Sequence, residues 1–237
     1  MPTPKDILYQ LPEGRVLDIA TGSGGFIHFL LEGLPAYTEI IGLDTNERAA
    51  TAFPEAFKDK PNIRFEVGDA LRLNFEADSF DLVCISNSLH HFADPLPVLR
   101  HMERVLRPGG YFLVAEMYRD GQTETQMTHV HLHHWWAAVD TVNGVVHRGT
   151  YQRQELVEMV AGLGLEALAL YDLADTDENP KNPEILADLN PVFERYLQRA
   201  EGYPELQARG EELRQRVEEI GFQGATTLIA IGKKGTR

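Results

Sequence analysis

Val16-Leu17-Asp18-Ile19-Ala20-Thr21-Gly22-Ser23-Gly24-Gly25-Phe26 reads as a buried strand, a glycine-rich turn and a helix start in immediate succession. Val16, Leu17 and Ile19 suit a strand covered on both faces. Gly22 and Gly24 permit backbone angles and close approaches that a side chain obstructs. A ligand can therefore lie against bare backbone at a helix N-terminus, where unpaired N–H groups point outward. A second apolar strand, Glu39 to Leu43, ends in Asp44, twenty residues beyond Gly24. An acidic side chain there can accept from both hydroxyls of a ribose and disfavours a 2′-phosphate.

A third strand, Ile63 to Val67, runs into Gly68-Asp69-Ala70, and a fourth, Phe80 to Ile85, into Ser86-Asn87-Ser88-Leu89-His90-His91-Phe92. In an open parallel sheet the ligand crevice lies outside the carboxyl ends of the strands, so Asp18, Asp44, Asp69 and Ser86 are predicted to converge. Each aspartate also has a plainer reading as a helix cap or turn former. The next helix ends at Val105-Leu106-Arg107-Pro108-Gly109-Gly110, and a fifth strand, Tyr111 to Ala115, follows. The predicted class is α/β: a Rossmann-like, doubly wound, mostly parallel sheet of seven strands with helices on both faces. Residues 1–237 are expected to form one domain with two helical cover inserts. The first, 116–150, follows strand five; the second, 173–222, separates strand six (Glu166 to Tyr171) from strand seven (Ala225 to Lys233).

The ordered set VLDIATGSG, IIGLD, GDA, FDLVCISNSLHHF and LRPGGYFLVAE resembles the class I S-adenosylmethionine-dependent methyltransferases, in the small-molecule branch that includes quinone and other metabolite methylators. The likeness covers residues 14–117, and Ala225 to Lys233 resembles that family's last strand. It implies S-adenosylmethionine as cofactor. Asp18 and the backbone of Ala20, Thr21, Gly22 and Gly24 would hold the methionine part, with Asp18 facing its ammonium. Asp44 would take the ribose, with Thr45 beside it. Asp69 would accept from the adenine amino group while the Ala70 N–H donates to the ring, and the Ser86–Asn87 backbone would close the methionine side. Ala20 departs from the family, which more often has glycine there. A nicotinamide dinucleotide is the competing cofactor, but from Gly22 the third glycine of G-x-G-x-x-G would fall at Ile27. A non-catalytic regulator using the same pocket as sensor or scaffold is a further alternative.

Net charge is −14, from 22 basic and 36 acidic residues, which repels a phosphate backbone that basic side chains must neutralise. The Asn/Asp-Pro-Pro-aromatic segment that enzymes methylating an exocyclic base amine usually carry after the fourth strand is replaced here by Ser86-Asn87-Ser88-Leu89, so the expectation is no nucleic-acid partner and a small, partly apolar metabolite as methyl acceptor, its acceptor atom open. The single cysteine, Cys84, lies in an apolar strand and reads as a buried core residue. With no charged-then-apolar leader and no apolar run near eighteen residues, the chain is expected to be cytoplasmic, without a membrane span and compatible with a homodimer.

Gln122 to Val142 reads as a helix lying over the crevice. Met127, Val130, His131, His134, Trp135, Ala138 and Val142 form one stripe, and Leu132, Trp136 and Val139 make a second face apolar. Within it, His129 with His133 and His131 with His134 have helical spacings that suit a metal. A third ligand would have to come from elsewhere, such as His90, His91 or His147, and no H-E-x-x-H is present. No metal is assigned; packing, substrate contact and proton acceptance are the other roles for these imidazoles. The candidate catalytic groups are His91 and His90, at the strand exit that faces the transferable methyl in related enzymes, with His134 and Tyr118. Glu116 can orient a substrate cation or hydroxyl. Trp135, Trp136 and Tyr118 are expected to supply apolar walls. In the second insert, Pro183 to Ala200 and Pro204 to Ile220 read as cover helices, each opened by Pro, the second closed by Gly221. Asp172 to Pro183 reads as an exposed loop.

Overall fold

The computed structural model of the protein describes residues 3–174 and 179–236. Seven strands form one sheet: β1 (Arg15–Ile19), β2 (Glu39–Asp44), β3 (Ile63–Val67), β4 (Phe80–Ser86), β5 (Leu106–Met117), β6 (Glu166–Leu173) and β7 (Thr227–Lys233). The helices are α1 (Pro4–Leu8), α2 (Gly25–Gly33), α3 (Glu47–Ala56), α4 (Leu96–Val105), α5 (Glu124–Val142), α6 (Arg153–Ala161), α7 (Pro183–Arg199) and α8 (Pro204–Glu219). The strand order is β3-β2-β1-β4-β5-β7-β6, with β7 antiparallel to both its neighbours. This is the predicted Rossmann-like class. The order reverses between β1 and β4, and there the strand ends open a crevice.

Period-two alternation distributes the strand residues between two cores. Leu17 and Ile19 of β1, with Val83 and Ile85 of β4, face Leu99 and Met102 of α4 and Leu156 of α6. Val16, Leu82 and Cys84 face the opposite way, toward Leu8, Ile27, Leu30 and Phe53 of α1, α2 and α3. Cys84 is thus a core residue, as expected.

Two strands run longer than their sequence suggests. Antiparallel pairing with β7 (Glu116↔Leu228, Met117↔Thr227) carries β5 two residues past Ala115. The acidic Glu116 is therefore held rigidly in the sheet rather than in a loop. β6 likewise extends through Asp172 and Leu173 against β7, so the expected loop starts later; residues 175–178 of it lie outside the described residues. Asn182 ends that segment by accepting from the Glu184 N–H and capping α7.

α5 begins at Glu124 behind a Thr123/Gln126 capping box, which supplies partners for two of the helix's unpaired N–H groups. Its Leu132, Trp135 and Val139 pack on Leu189 and Phe193 of α7 and Leu213 and Val217 of α8. Trp135 donates from Nε1 to the Leu206 carbonyl at 2.8 Å. Gly210 lets α8 approach, since a Cβ there would lie 2.3 Å from Trp135 Cζ2. Trp135 is therefore the buried anchor of a three-helix cover, not a pocket wall.

Candidate active site

Two clefts open along the carboxyl ends of the strands. The larger, 520 Å³, is lined by Asp18, Ala20, Thr21, Gly22, Ser86 and Asn87, among others. The smaller is lined by Ala20, Leu43, Asp44, Thr45, Asp69, Ala70 and Phe92. Ala20 borders both, so the sequence-predicted cofactor positions come together along one continuous edge. Gly24 shapes the turn without lining it. At φ +91° it caps α2, and a Cβ there would meet Phe57 Cε2 at 2.3 Å.

Asp18 is 1% exposed. Its Oδ2 accepts from the Thr21 hydroxyl at 2.6 Å, and its Oδ1 from the Cys84 thiol at 3.3 Å. Burial raises its carboxyl from 3.8 to about 6 against these hydrogen bonds, and the Asp44 charge adds to the rise. No cationic side chain is paired with it among the described residues. Asp44 joins two strand exits: its Oδ2 accepts from Gly22 N at 2.8 Å and its Oδ1 from Asn46 N at 2.9 Å. Asp69 accepts from Leu71 N at 2.8 Å, so it caps the short 3-10 turn Ala70–Arg72 while also lining the smaller cleft.

Ala20 sits at φ +54° and Asn87 at φ +42°. A left-handed backbone costs an L-residue about 1–2 kcal/mol, and such strain persists only where the surroundings enforce it. Asn87 is pinned, its N–H donating to Ala115 O at 2.8 Å and its Oδ1 accepting from Met117 N at 3.1 Å. For Ala20→Gly, relief of the strain outweighs the added freedom of the unfolded chain. A gain of about 1 kcal/mol is expected as a higher urea midpoint with unchanged slope.

Beyond Asn87 lies a second chamber of 300 Å³, lined by Asn87, His90, His91, Met117, His129, His133, Trp136, Asp140, His147 and Tyr196. Glu116 organises its floor. Oε2 accepts from Ser88 N at 3.0 Å and Leu89 N at 2.8 Å, and Oε1 lies 2.8 Å from His90 Nδ1. From there a chain of buried rings crosses the chamber. His90 Nε2 is 3.1 Å from His133 Nε2, which is 3.3 Å from His147 Nε2, and His147 Nδ1 is 2.6 Å from Asp140 Oδ2. Burial opposes ionisation of Asp140, yet His147 and the Arg199 guanidinium hold its carboxyl below the ordinary value. Desolvation lowers His91 to about 4, helped by the His90 and His147 rings. Burial alone lowers His129 to about 4. It also drives His133 steeply down, reinforced by the surrounding imidazoles. These three rings are neutral at pH 7.

The candidate catalytic residues separate accordingly. His91 lines the chamber, and His90 stands in its wall bound to Glu116. His134 is placed elsewhere, with Nε2 2.9 Å from Thr150 Oγ1 and accepting from Thr150 N at 3.2 Å. Tyr118 is buried in the sheet core, and its hydroxyl meets Asp172 and Thr226, burial and Asp172 raising its pKa. Neither lines the two clefts or the chamber, because α5 turns His134 toward the segment after it and Tyr118, just past β5, turns toward Asp172 of β6. Of the expected walls only Trp136 is in place, its indole Nε1 buried without a partner; Met117 and Tyr196 supply the rest. His133 meets His90 and His147, from two other segments, rather than being paired by helical spacing alone. Asp140 carried no motif. Its one signal was an acidic residue on an otherwise apolar helix face.

A doubly wound sheet with a strand-end crevice split between an acidic, glycine-turned cleft and an aspartate-edged neighbour defines a class I methyltransferase fold. Residues 17–114 match the family described as "Methyltransferase domain". The methyltransferase YcgJ of Bacillus subtilis is 38% identical over 109 residues, 45% of this chain and 42% of its own. Its crystal structure superposes with a TM-score of 0.61 at 21% identity, covering 98% of this chain and 96% of that one. A demethylmenaquinone methyltransferase of Deinococcus radiodurans is 43% identical over 103 residues, 43% of this chain and 42% of its own. The sequence match thus spans less than half of these curated relatives. The phosphoethanolamine N-methyltransferase 2 of Haemonchus contortus, solved with S-adenosyl-L-methionine, superposes with a TM-score of 0.59 at 18% identity, over 97% of this chain and 51% of that one. Among the described residues no helix is long and apolar enough to cross a membrane.

Proposed function

We propose that this protein transfers the methyl group of S-adenosylmethionine to a small, partly apolar metabolite held beneath α5 in a cytoplasmic setting. The carrying observation is Asp18: a buried carboxylate with no cation beside it among the described residues, at the end of a cleft that shares Asn87 with an imidazole- and aromatic-lined chamber. An α-ammonium supplies the missing charge. With the methionine so placed, the ribose hydroxyls fall to Asp44, and the adenine to Asp69, the Ala70 N–H and the apolar faces of Leu43 and Phe92. The sulfonium methyl then points past Asn87 toward the chamber.

Transfer is an in-line displacement: the acceptor lone pair forms a bond to the methyl carbon while the carbon–sulfur pair returns to sulfur. Orienting two bound reactants removes about 7–11 kcal/mol of barrier, so the protein's main task is positioning and exclusion of water. The indole N–H of Trp136 is free to hold a polar atom of the acceptor, and neutral His91 is placed to accept a proton. Asp44→Ala is expected to weaken S-adenosylhomocysteine binding by about 10- to 100-fold in calorimetry, as the ribose loses charge-assisted hydrogen bonds worth about 1.5–3 kcal/mol. Unchanged affinity, or a nicotinamide dinucleotide bound in its place, sinks the reading, and turnover with a panel of hydroxyl, thiol and amine acceptors separates an enzyme from a sensor.

A further inference from the structure

We propose that His90, His133 and His147 bind one divalent transition-metal ion of the Zn2+ type, with an open coordination position facing the chamber. One ligand atom from each of the three lies within 4.8 Å of the other two. The Nε2 separations of 3.1 and 3.3 Å match the roughly 3.3 Å edge of a tetrahedral site with Zn–N bonds of about 2.0–2.1 Å. Hydrogen-bond accounting points the same way. Glu116 and Asp140 take the Nδ1 protons of His90 and His147, leaving a bare lone pair on each Nε2. Both lone pairs face His133 Nε2, which has at most one proton to share and can satisfy only one of them. A cation satisfies all three nitrogens together.

The surroundings are those of a metal site. Two of the three imidazoles, His90 and His147, have a carboxylate on the far nitrogen, which fixes the tautomer and raises basicity, while the far nitrogen of His133 is buried without a partner. Glu116 is 1% exposed, and among the described residues its only ionic partner is His90. A buried carboxylate without a permanent cation is costly, and a doubly charged ion on the far side of the His90 ring offsets that cost. Three protein nitrogens with no fourth ligand among the described residues is the ligand count of catalytic rather than structural zinc. The ligands come from the segment after β4, from α5 and from the segment after α5, so the ion would also fasten the cover helix to the sheet.

The metal stands apart from the methyl-transfer reading; its use there rests on that reading. A hydroxyl or thiol acceptor bound at the open position would release its proton to solvent more readily, because the ion lowers the pKa of a bound group. The oxygen or sulfur lone pair then bonds to the methyl carbon, and the carbon–sulfonium bond breaks with its pair on sulfur.

The test uses the full chain, stripped with a chelator and titrated with Zn2+ or Co2+ alone. One equivalent is expected to bind with sub-micromolar affinity, and the Co2+ form to show the intense visible bands of four-coordination. X-ray absorption of the Zn2+ form should show three imidazole nitrogens. His133→Gln and His147→Phe should each weaken binding at least 100-fold, whereas His131→Gln should change it little. Absence of one-equivalent binding, fewer than three imidazoles at the ion, or full-affinity binding by His133→Gln overturns the proposal. The absorption experiment needs only the wild-type chain, so it decides even if the variants do not fold. S-adenosylhomocysteine calorimetry on the same samples reports the cofactor reading separately: metal without cofactor refutes methyl transfer alone, and cofactor without metal refutes this site alone.

Discussion

Asp18→Asn is expected to make the free protein more stable at pH 8 while reducing S-adenosylhomocysteine affinity by about 100-fold or more. Both effects follow from one buried charge. Burial raises the Asp18 carboxyl from 3.8 to about 6, and at about 1.4 kcal/mol per pH unit the ionised group costs the fold about 3 kcal/mol. The sign follows from the direction of the change. A folded-state pKa above the unfolded value means that the native state binds the proton more tightly. The penalty is therefore full above pH 6, shrinks as pH falls through 6 toward 3.8, and vanishes below. Asparagine keeps an oxygen to accept from Thr21 and removes the charge, so its gain in thermal midpoint should be several degrees at pH 8 and near zero at pH 4. In the proposed reading the cofactor's ammonium meets that charge in a desolvated site, where removing one partner of a buried pair costs about 2–5 kcal/mol. Cofactor affinity of the wild-type protein should also fall as pH drops below about 6, and the variant should lose that dependence. A variant destabilised at pH 8 would show that the buried charge does not penalise the fold, and one that binds S-adenosylhomocysteine normally would show that Asp18 is not the ammonium partner.

The nucleotide half was legible because its physics is local. A strand buried on both faces, a turn that needs glycine angles and an acidic strand end are each written in contiguous residues, and the parallel topology brings Asp18, Asp44 and Asp69 to one edge without further information. Ala20 was legible as a departure, and its φ of +54° shows that the turn imposes the backbone rather than the residue. The chamber was not legible, because its members meet through tertiary contacts. Helical spacing pairs His129 with His133 and His131 with His134, yet His131 and His134 turn away while His90 and His147 arrive from other segments. Glu116 read as a loop residue until pairing with β7 fixed it behind His90. The two tryptophans had equal claims on the sequence, and only the glycine at 210, a whole insert away, decides that Trp135 is the one that packs inward.

Trp135→Ala should separate the two halves. Trp135 is 3% exposed, its ring lies 5.8 Å from Phe193 and 5.9 Å from Tyr196, and its N–H satisfies the Leu206 carbonyl. Truncation of a buried tryptophan costs about 3–5 kcal/mol. The cost falls on the core of α5, α7 and α8, which is small and separate from the two cores that flank the sheet. A local unit with few buried residues opens well below the global unfolding free energy, so a loss of this size should melt the cover and spare the sheet. Hydrogen exchange is expected to accelerate at least 100-fold in α5, α7 and α8 while β1, β4 and β5 keep their protection. S-adenosylhomocysteine affinity should stay within about threefold, because none of the cover helices lines the two clefts proposed for the cofactor. The chamber should be lost, since Trp136, His133 and Asp140 ride on α5 and Tyr196 on α7. With them go the acceptor walls, one proposed metal ligand (His133) and the carboxylate behind another (Asp140, behind His147), so kcat/KM for any acceptor should fall at least 100-fold, and Trp135→Phe should recover most of it. Equal loss of protection in sheet and cover would mean that the fold unfolds as one unit. Cofactor affinity lost in parallel with turnover would mean that the cover helices help to hold the cofactor, and the division of labour between the two halves would then be wrong.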